Sequence, residues 1–198
     1  YKKAGLDFGL AAPTGRAAKR MKELTGENAS TIHRLLGYKR DENGRGGTFE
    51  RDLDNPLRQD AIIIDEASMI DIEVFSALTL ALKDEARLVV VGDVDQLPSV
   101  GPGQVLRDLI DSETINTSKL TKIHRQGEES AIVEYAHMIN AGEVPAQGKN
   151  DFFLLPTKDD EDTIRLLEEL LKKRLPEYNK LESLDILFDI QILAPVKK

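Results

Sequence analysis

Ala61-Ile62-Ile63-Ile64-Asp65-Glu66-Ala67-Ser68-Met69 and Leu88-Val89-Val90-Val91-Gly92-Asp93-Val94-Asp95-Gln96-Leu97-Pro98 decide how this chain is read. Each is a short apolar run, rich in β-branched residues, that ends in an acidic loop. Such runs are strands buried inside a parallel sheet. A helix-length segment, Asp71 to Lys83, separates them, which is the spacing a right-handed β-α-β crossover requires. Ligands of open α/β sheets sit beyond the carboxyl ends of the strands. Two buried strands that both release carboxylates at that edge describe a site for a metal ion and phosphates, and so for nucleotide hydrolysis.

Working outward, Phe8 to Ala12 reads as a strand closed by Pro13. Thr14 is placed to cap a helix from Arg16 to Thr25, with Gly26 as its stop. Ala17, Met21 and Leu24 fall at i, i+4 and i+7 and predict its core face. Ser30 predicts the cap of a short helix, Thr31 to Leu36, ended by Gly37. Residues 39–60 are polar, contain Asn43-Gly44 and Gly46-Gly47, and read as a hairpin or loop rather than core. Helices are expected over 72–83, 104–111, 130–140 (core face Ile132, Ala136, Ile139) and 160–175, the last ended by Pro176. Further strands are expected over 115–122, 152–155 and 188–193. Strands alternate with helices, so the fold class is α/β with a largely parallel sheet.

Composition is that of an ordinary globular protein, with 40% hydrophobic and 31% charged residues. No apolar run approaches the ~20 residues needed to span a bilayer, and no signal peptide is legible, so no membrane role and a cytoplasmic location are expected. With no cysteine, the chain has no disulfide, thiolate metal site or cysteine nucleophile. The net charge of −8 speaks against nucleic acid, but residues 14–45 hold eight Lys/Arg against four Asp/Glu. That local excess is either a solvated helix face or a phosphate-binding patch. The chain lacks an initiating Met and stops just after an expected strand, as a piece of a longer protein would.

Phosphoryl transfer needs positioning and charge neutralisation more than covalent chemistry. Asp65, at a strand end, is suited to hold Mg²⁺ through a bound water. Glu66 is free to orient or deprotonate the attacking water. The amide of Gln96 both donates and accepts, so it can read a terminal phosphate and a water together. Asp93 is expected to tie this second loop to the first.

Four segments occur in one order: Ala12-Pro13-Thr14-Gly15-Arg16-Ala17-Ala18, Ile64-Asp65-Glu66-Ala67-Ser68-Met69, Gly92-Asp93-Val94-Asp95-Gln96-Leu97-Pro98 and His124-Arg125-Gln126. They resemble motifs Ia, II, III and IV of superfamily 1 DNA helicases of the RecD/TraA type, which include the alpha subunit of exodeoxyribonuclease V. Thr31-Ile32-His33-Arg34-Leu35-Leu36-Gly37 is similar to that family's segment between motifs Ia and II. Ile192-Leu193-Ala194-Pro195 resembles a stretch of its second domain. The resemblance implies a RecA-like P-loop NTPase core, with a first domain over 1–118 and the beginning of a second over 119–198.

It also implies roles. Asp65 would bind Mg²⁺, Glu66 would be the catalytic base, Gln96 would sense the γ-phosphate of ATP, and Arg125 would be an arginine finger, with Asp93 beside the nucleotide. Pro13, Thr14, Gly15, Arg16 and Lys19 would hold single-stranded DNA, as would His33 and Arg34. Thr14 serves equally well as a helix cap, and both readings can hold; His137 reads as structural. Residues 39–60 fall where related helicases carry a strand-separating pin for duplex junctions, and a functionless surface loop is the alternative. Aromatic residues are only 5%, so no broad base-stacking platform is expected.

The pattern departs from the family in its phosphate loop and in the later motifs of the second domain, which would be expected to follow Lys198. No G-x-x-x-x-G-K-[ST] phosphate loop occurs, and Gly148-Lys149 is followed by Asn150 without the preceding glycine. The expectation is therefore a piece of an ATP-driven helicase, moving 5′→3′ in DNA recombination or repair, that alone hydrolyses no ATP. Subunits of a nuclease complex are possible partners. The alternatives are the helicase part of a conjugative relaxase and a non-catalytic DNA-binding module of the same fold.

Overall fold

Four apolar or small-residue segments punctuated by proline, glycine and acids form one parallel sheet. In chain order the elements are β1 (Phe8–Ala12), α1 (Gly15–Thr25), β2 (Ala29–Thr31), α2 (Ile32–Leu35), β3 (Lys39–Arg40), β4 (Gly47–Thr48), β5 (Ala61–Ile64), α3 (Ile72–Leu80), β6 (Arg87–Val90) and α4 (Val105–Asp111). This is a computed structural model, and it describes residues 1–43, 46–120, 130–145, 148, 151–179 and 189–193. The chain divides into two compact units, Tyr1–Thr121 and Lys122–Lys198.

In the first unit the sheet runs β2-β1-β5-β6, parallel throughout, as expected for the α/β class. Its core lies on one face, where Ala11, Ile62 and Ile64 meet Ile32 and Leu36 around α2, Leu78 of α3 and Leu106 of α4. On the other face α1 packs against β1 and β2, while Ile63 and Val89 stay half-buried. β3 and β4 pair antiparallel as a small separate hairpin. The loop behind it is not wholly outside the core: Leu57 is buried and Phe49 packs against the central cluster. Leu57 is drawn in because its N–H bonds the Ala81 carbonyl at 2.7 Å, which ties the loop to the end of α3.

Several local expectations are met by specific bonds. Thr14 Oγ1 accepts from the Ala17 N–H at 3.2 Å, and Gly26 closes α1 at φ 71° with its N–H on the Lys22 carbonyl. The face of α1 differs from expectation. Ala18 is buried, Ala17 and Met21 are half-buried, and Leu24, in the last turn, is 76% exposed. Thr31, not Ser30, caps α2, because residues 29–31 pair with β1 and Thr31 is the residue where the strand turns into the helix.

The second unit holds α5 (Ala131–Asn140), α6 (Asp160–Glu169) and α7 (Leu175–Asn179). The buried face of α5 is Ala131 and Tyr135, one position off the expected stripe; Ile132 and Ile139 are exposed. Remote contacts set that rotation. Tyr135 meets Phe152 edge-on at 4.9 Å, and the Asp151 carboxylate accepts from Ser130 Oγ at 2.7 Å and the Ala131 N–H at 2.8 Å. Pro176 does not stop the last helix. Residues 170–174 form a π-helical turn in which the Leu175 N–H reaches the Leu170 carbonyl, and Pro176 then sits in the first turn of α7, where its missing N–H is tolerated. The strands expected over 115–122, 152–155 and 188–193 are not seen among the described residues of those spans; Phe152 forms an isolated bridge. Residues 121–122, 188, 194 and 195 lie outside the described residues.

Candidate functional site

β5 and β6 run in register, with Ile64 opposite Val90, so their following loops leave the same edge. Backbone bonds then lock the two loops together: Val91 N–H to the Ile64 carbonyl at 2.8 Å, and Ala67 N–H to the Val91 carbonyl at 3.0 Å. Asp65 N–H bonds the Ala11 carbonyl of β1 at 3.0 Å, which fixes Asp65 between three strand ends. Gly92 makes this closeness possible. A Cβ there would stand 2.8 Å from Leu106 Cδ2 and 2.9 Å from the Ala67 nitrogen.

Glu66 occupies the left-handed region, at φ 54° and ψ 41°. A non-glycine residue there costs about 1–2 kcal/mol, and such strain concentrates at functional positions. The turn swings the chain from β5 into the short 3-10 helix Ala67–Met69. Asp65 Oδ1 accepts from the Glu66 N–H at 2.9 Å. The Glu66 carboxylate makes no hydrogen bond or ion pair among the described residues, which leaves it available to a water or a ligand.

Asp93 does not tie the second loop to the first. Its Oδ1 accepts from the Asp95 N–H at 3.0 Å and its Oδ2 from Gln96 Nε2 at 3.4 Å, so it shapes its own loop. The tie is made by backbone instead, because the glycine at position 92 brings the two chains within main-chain reach. Gln96 is exposed on this loop. Arg107 of α4, which sequence reasoning passed over, donates to the Val94 carbonyl at 2.8 Å and braces the loop from behind. Ser68 Oγ is buried and has no hydrogen-bond partner among the described residues. No group of three or more His, Asp or Glu comes together as a metal site among the described residues.

The other candidate residues leave the same sheet edge. Ala12 of β1 stands opposite Thr31 of β2, so Pro13, Thr14, Gly15 and Arg16 emerge beside His33 and Arg34. A Cβ on Gly15 would meet nothing within 4 Å, so packing inside the chain does not require glycine there. Arg16, Lys19, His33 and Arg34 are exposed; Lys19 faces Glu23 at 3.8 Å. Arg125, with His124 and Gln126, lies outside the described residues.

Residues 1–153 match the model of the family described as AAA domain. The chain belongs to that family. This AAA domain is 41% identical over 156 residues to the ATP-dependent RecD2 DNA helicase of Deinococcus radiodurans, covering 79% of the chain and 21% of that relative. It is 38% identical over 154 residues to the RecBCD enzyme subunit RecD of Mycolicibacterium smegmatis, covering 69% of the chain and 27% of that protein. The chain thus spans about a fifth to a quarter of the length of these curated relatives. Among solved structures, Bacteroides Pif1 bound to ssDNA is similar at 21% identity and a TM-score of 0.48, over 83% of the chain and 47% of that one. The kinship to RecD-type helicases expected from the four motifs holds.

Proposed function

We propose that this chain is part of an ATP-dependent DNA helicase that couples ATP hydrolysis to 5′→3′ movement on single-stranded DNA and to duplex unwinding, in recombination or repair. The observation that carries this reading is the pair of acidic loops locked side by side at the carboxyl edge of a parallel sheet. Its RecD2 and RecD relatives, named for helicase and RecBCD function, support it. On this reading residues 1–118 belong to a first RecA-like domain and 119–198 begin a second.

The donor set suits Mg²⁺. Asp65 has one oxygen engaged by the Glu66 N–H and the other without a partner among the described residues, and Mg²⁺ is commonly held by one or two carboxylates together with phosphate oxygens. Held by Asp65, such an ion would supply positive charge to offset that of the nucleotide's phosphates. Glu66, set in its left-handed turn and without a side-chain partner among the described residues, orients the attacking water and takes its proton. Gln96 reads the terminal phosphate, with Asp93 fixing its loop. Arg125 supplies a guanidinium whose fork can bridge phosphate oxygens. Pro13, Thr14, Gly15, Arg16, Lys19, His33 and Arg34 hold the DNA backbone, and the open space at Gly15 admits it closely.

No described helix is long and apolar enough to cross a membrane; a cytoplasmic site of action belongs to the proposal. Nuclease-complex subunits are the candidate protein partners. The 198 residues by themselves, without a G-x-x-x-x-G-K-[ST] loop, are expected to turn over no ATP. The test uses the full-length protein. Glu66→Gln is expected to lower DNA-stimulated ATP hydrolysis about 10²–10⁴-fold, the usual contribution of a positioned general base. Unchanged turnover would remove Glu66 from this role.

A further inference from the structure

The loop that carries Gln96 is held at both ends by the segment that follows Glu66. At its near end the Ala67 N–H bonds the Val91 carbonyl at 3.0 Å. At its far end the Ile72 N–H bonds the Pro102 carbonyl at 2.9 Å, and Asp71, the cap of α3, packs against Gly101. A Cβ on Gly101 would stand 2.7 Å from Asp71 Cβ and 2.8 Å from its Cγ, so glycine is what lets the loop come this close. Gln96 stands midway, five residues from Val91 and five from Gly101.

The far anchor has several parts. Asp71 Oδ1 accepts from the Val74 N–H at 2.8 Å and fixes the first turn of α3. Gly103, at φ 93°, turns the chain over Ile72, where a Cβ would stand 3.2 Å from that of Ile72. Ser99 Oγ lies 2.9 Å from the Gly101 carbonyl and 3.2 Å from the Gly103 carbonyl, and draws that end of the loop together. Between the anchors the side chain of Gln96 is held weakly. It is exposed, and its amide reaches Asp93 Oδ2 at 3.4 Å, near the outer limit of a hydrogen bond. The direction of that amide is therefore set by the fixed ends of the loop, together with Arg107 on the Val94 carbonyl.

We propose that Asp71 is a positioning residue for Gln96: by capping α3 and seating Gly101 it holds the far end of the loop, so that the Gln96 amide meets the terminal phosphate in one orientation. This role rests on Gln96 reading that phosphate, and adds a residue that acts only through it. A group misplaced by about 1 Å can lose roughly a hundredfold in rate, so a loosened anchor lowers turnover without weakening nucleotide binding. The anchor needs the shape of Asp71 and its acceptor oxygen rather than its charge. Asn caps a helix about as well as Asp and fills the same space.

Steady-state ATP hydrolysis by the full-length protein, at saturating single-stranded DNA, tests the role. Asp71→Ala is expected to lower kcat roughly tenfold with KM for ATP unchanged, and Asp71→Asn to restore it. In a Gln96→Ala background, which itself lowers kcat, Asp71→Ala is expected to lower it no further, because the group it positions is gone. If Asp71→Ala fails to fold, Gly101→Ala disturbs the same contact from the loop side. It is expected to give the same kcat loss and the same masking by Gln96→Ala. Losses that multiply in the double variant, a lowered urea midpoint with kcat of the folded protein unchanged, or equal loss in Asp71→Asn overturns the positioning role and leaves the helicase reading standing. Gln96→Ala that hydrolyses ATP as the native protein does overturns the phosphate-reading role of Gln96, and the role of Asp71 with it.

Discussion

At the amino edge of the four-stranded sheet Asp60 is fully engaged, whereas at the carboxyl edge Asp65 and Glu66 hold almost no partners. Asp60 accepts from Lys83 Nζ at 2.6 Å and from the Asp7 N–H at 2.9 Å, and its own backbone bonds Asp7 and Arg87. One residue thereby joins the starts of β1, β5 and β6. The Lys83 bond and then the Asp7 N–H hold its carboxyl below the usual carboxylate range. At the other edge Glu66 sits in a strained turn with a carboxylate unengaged among the described residues, and Asp65 accepts one backbone N–H. Acids of one type serve as a clasp at one end and as available ligands at the other. Strain and unsatisfied charge gather where chemistry is proposed, and satisfied bonds gather where only the fold is at stake.

The largest expected effect on stability is at the carboxyl edge. Gly92→Ala forces a methyl group between Leu106 and the Ala67 backbone and is expected to destabilise the first unit by about 1–3 kcal/mol, read as a lowered urea midpoint. A midpoint unchanged by the methyl group would mean that the two loops are not locked as closely as their bonds indicate. Next, Glu66→Gly is expected to raise stability by about 1 kcal/mol by relieving the left-handed strain, while ATP turnover of the full-length protein is lost. Stability lost in that variant would show Glu66 to be a structural residue and would erase the contrast between the edges.

The smallest effect belongs to the clasp, because Lys83 and Asp60 are both more than a third exposed and solvent screens their attraction. The sign follows from the lowered pKa of Asp60. Its contribution is present above the unfolded-state value, near pH 4, and is lost as pH falls through the lower folded-state value. Urea midpoints of the native protein and Asp60→Asn should differ at neutral pH and converge in acid. Parallel curves at all pH values would separate Asp60 from the acid response. Asp151, whose pKa the Ser130 hydroxyl lowers, works in the same direction at the start of α5.

The carboxyl edge was legible in sequence because its signals are local. Three isoleucines followed by Asp65-Glu66, and Val91-Gly92-Asp93, state strand, stop and charge within a few residues. Thr14 and Gly26 marked the two ends of α1 for the same reason: caps act on neighbouring backbone groups. The faces of α1 and α5 were misread, since spacing alone defines a stripe but not which neighbour covers it. Leu24 has no cover, and Tyr135 is turned inward by Phe152. The Asp93 tie was misassigned because a backbone bond across two loops leaves no trace in side-chain type.

By itself, then, the order of residues determined the parallel α/β core, the acidic loops and the kinship to RecD-type helicases. These follow from periodicity, punctuation and motif order along the chain. Only the tertiary structure decided that Ala67 and Val91 join the two loops, that Glu66 is strained with a carboxylate unengaged among the described residues, and that Asp71 meets Gly101 at the far end of the Gln96 loop. Each depends on groups far apart in the chain or on a backbone angle that many side chains permit, and packing alone selects among such possibilities.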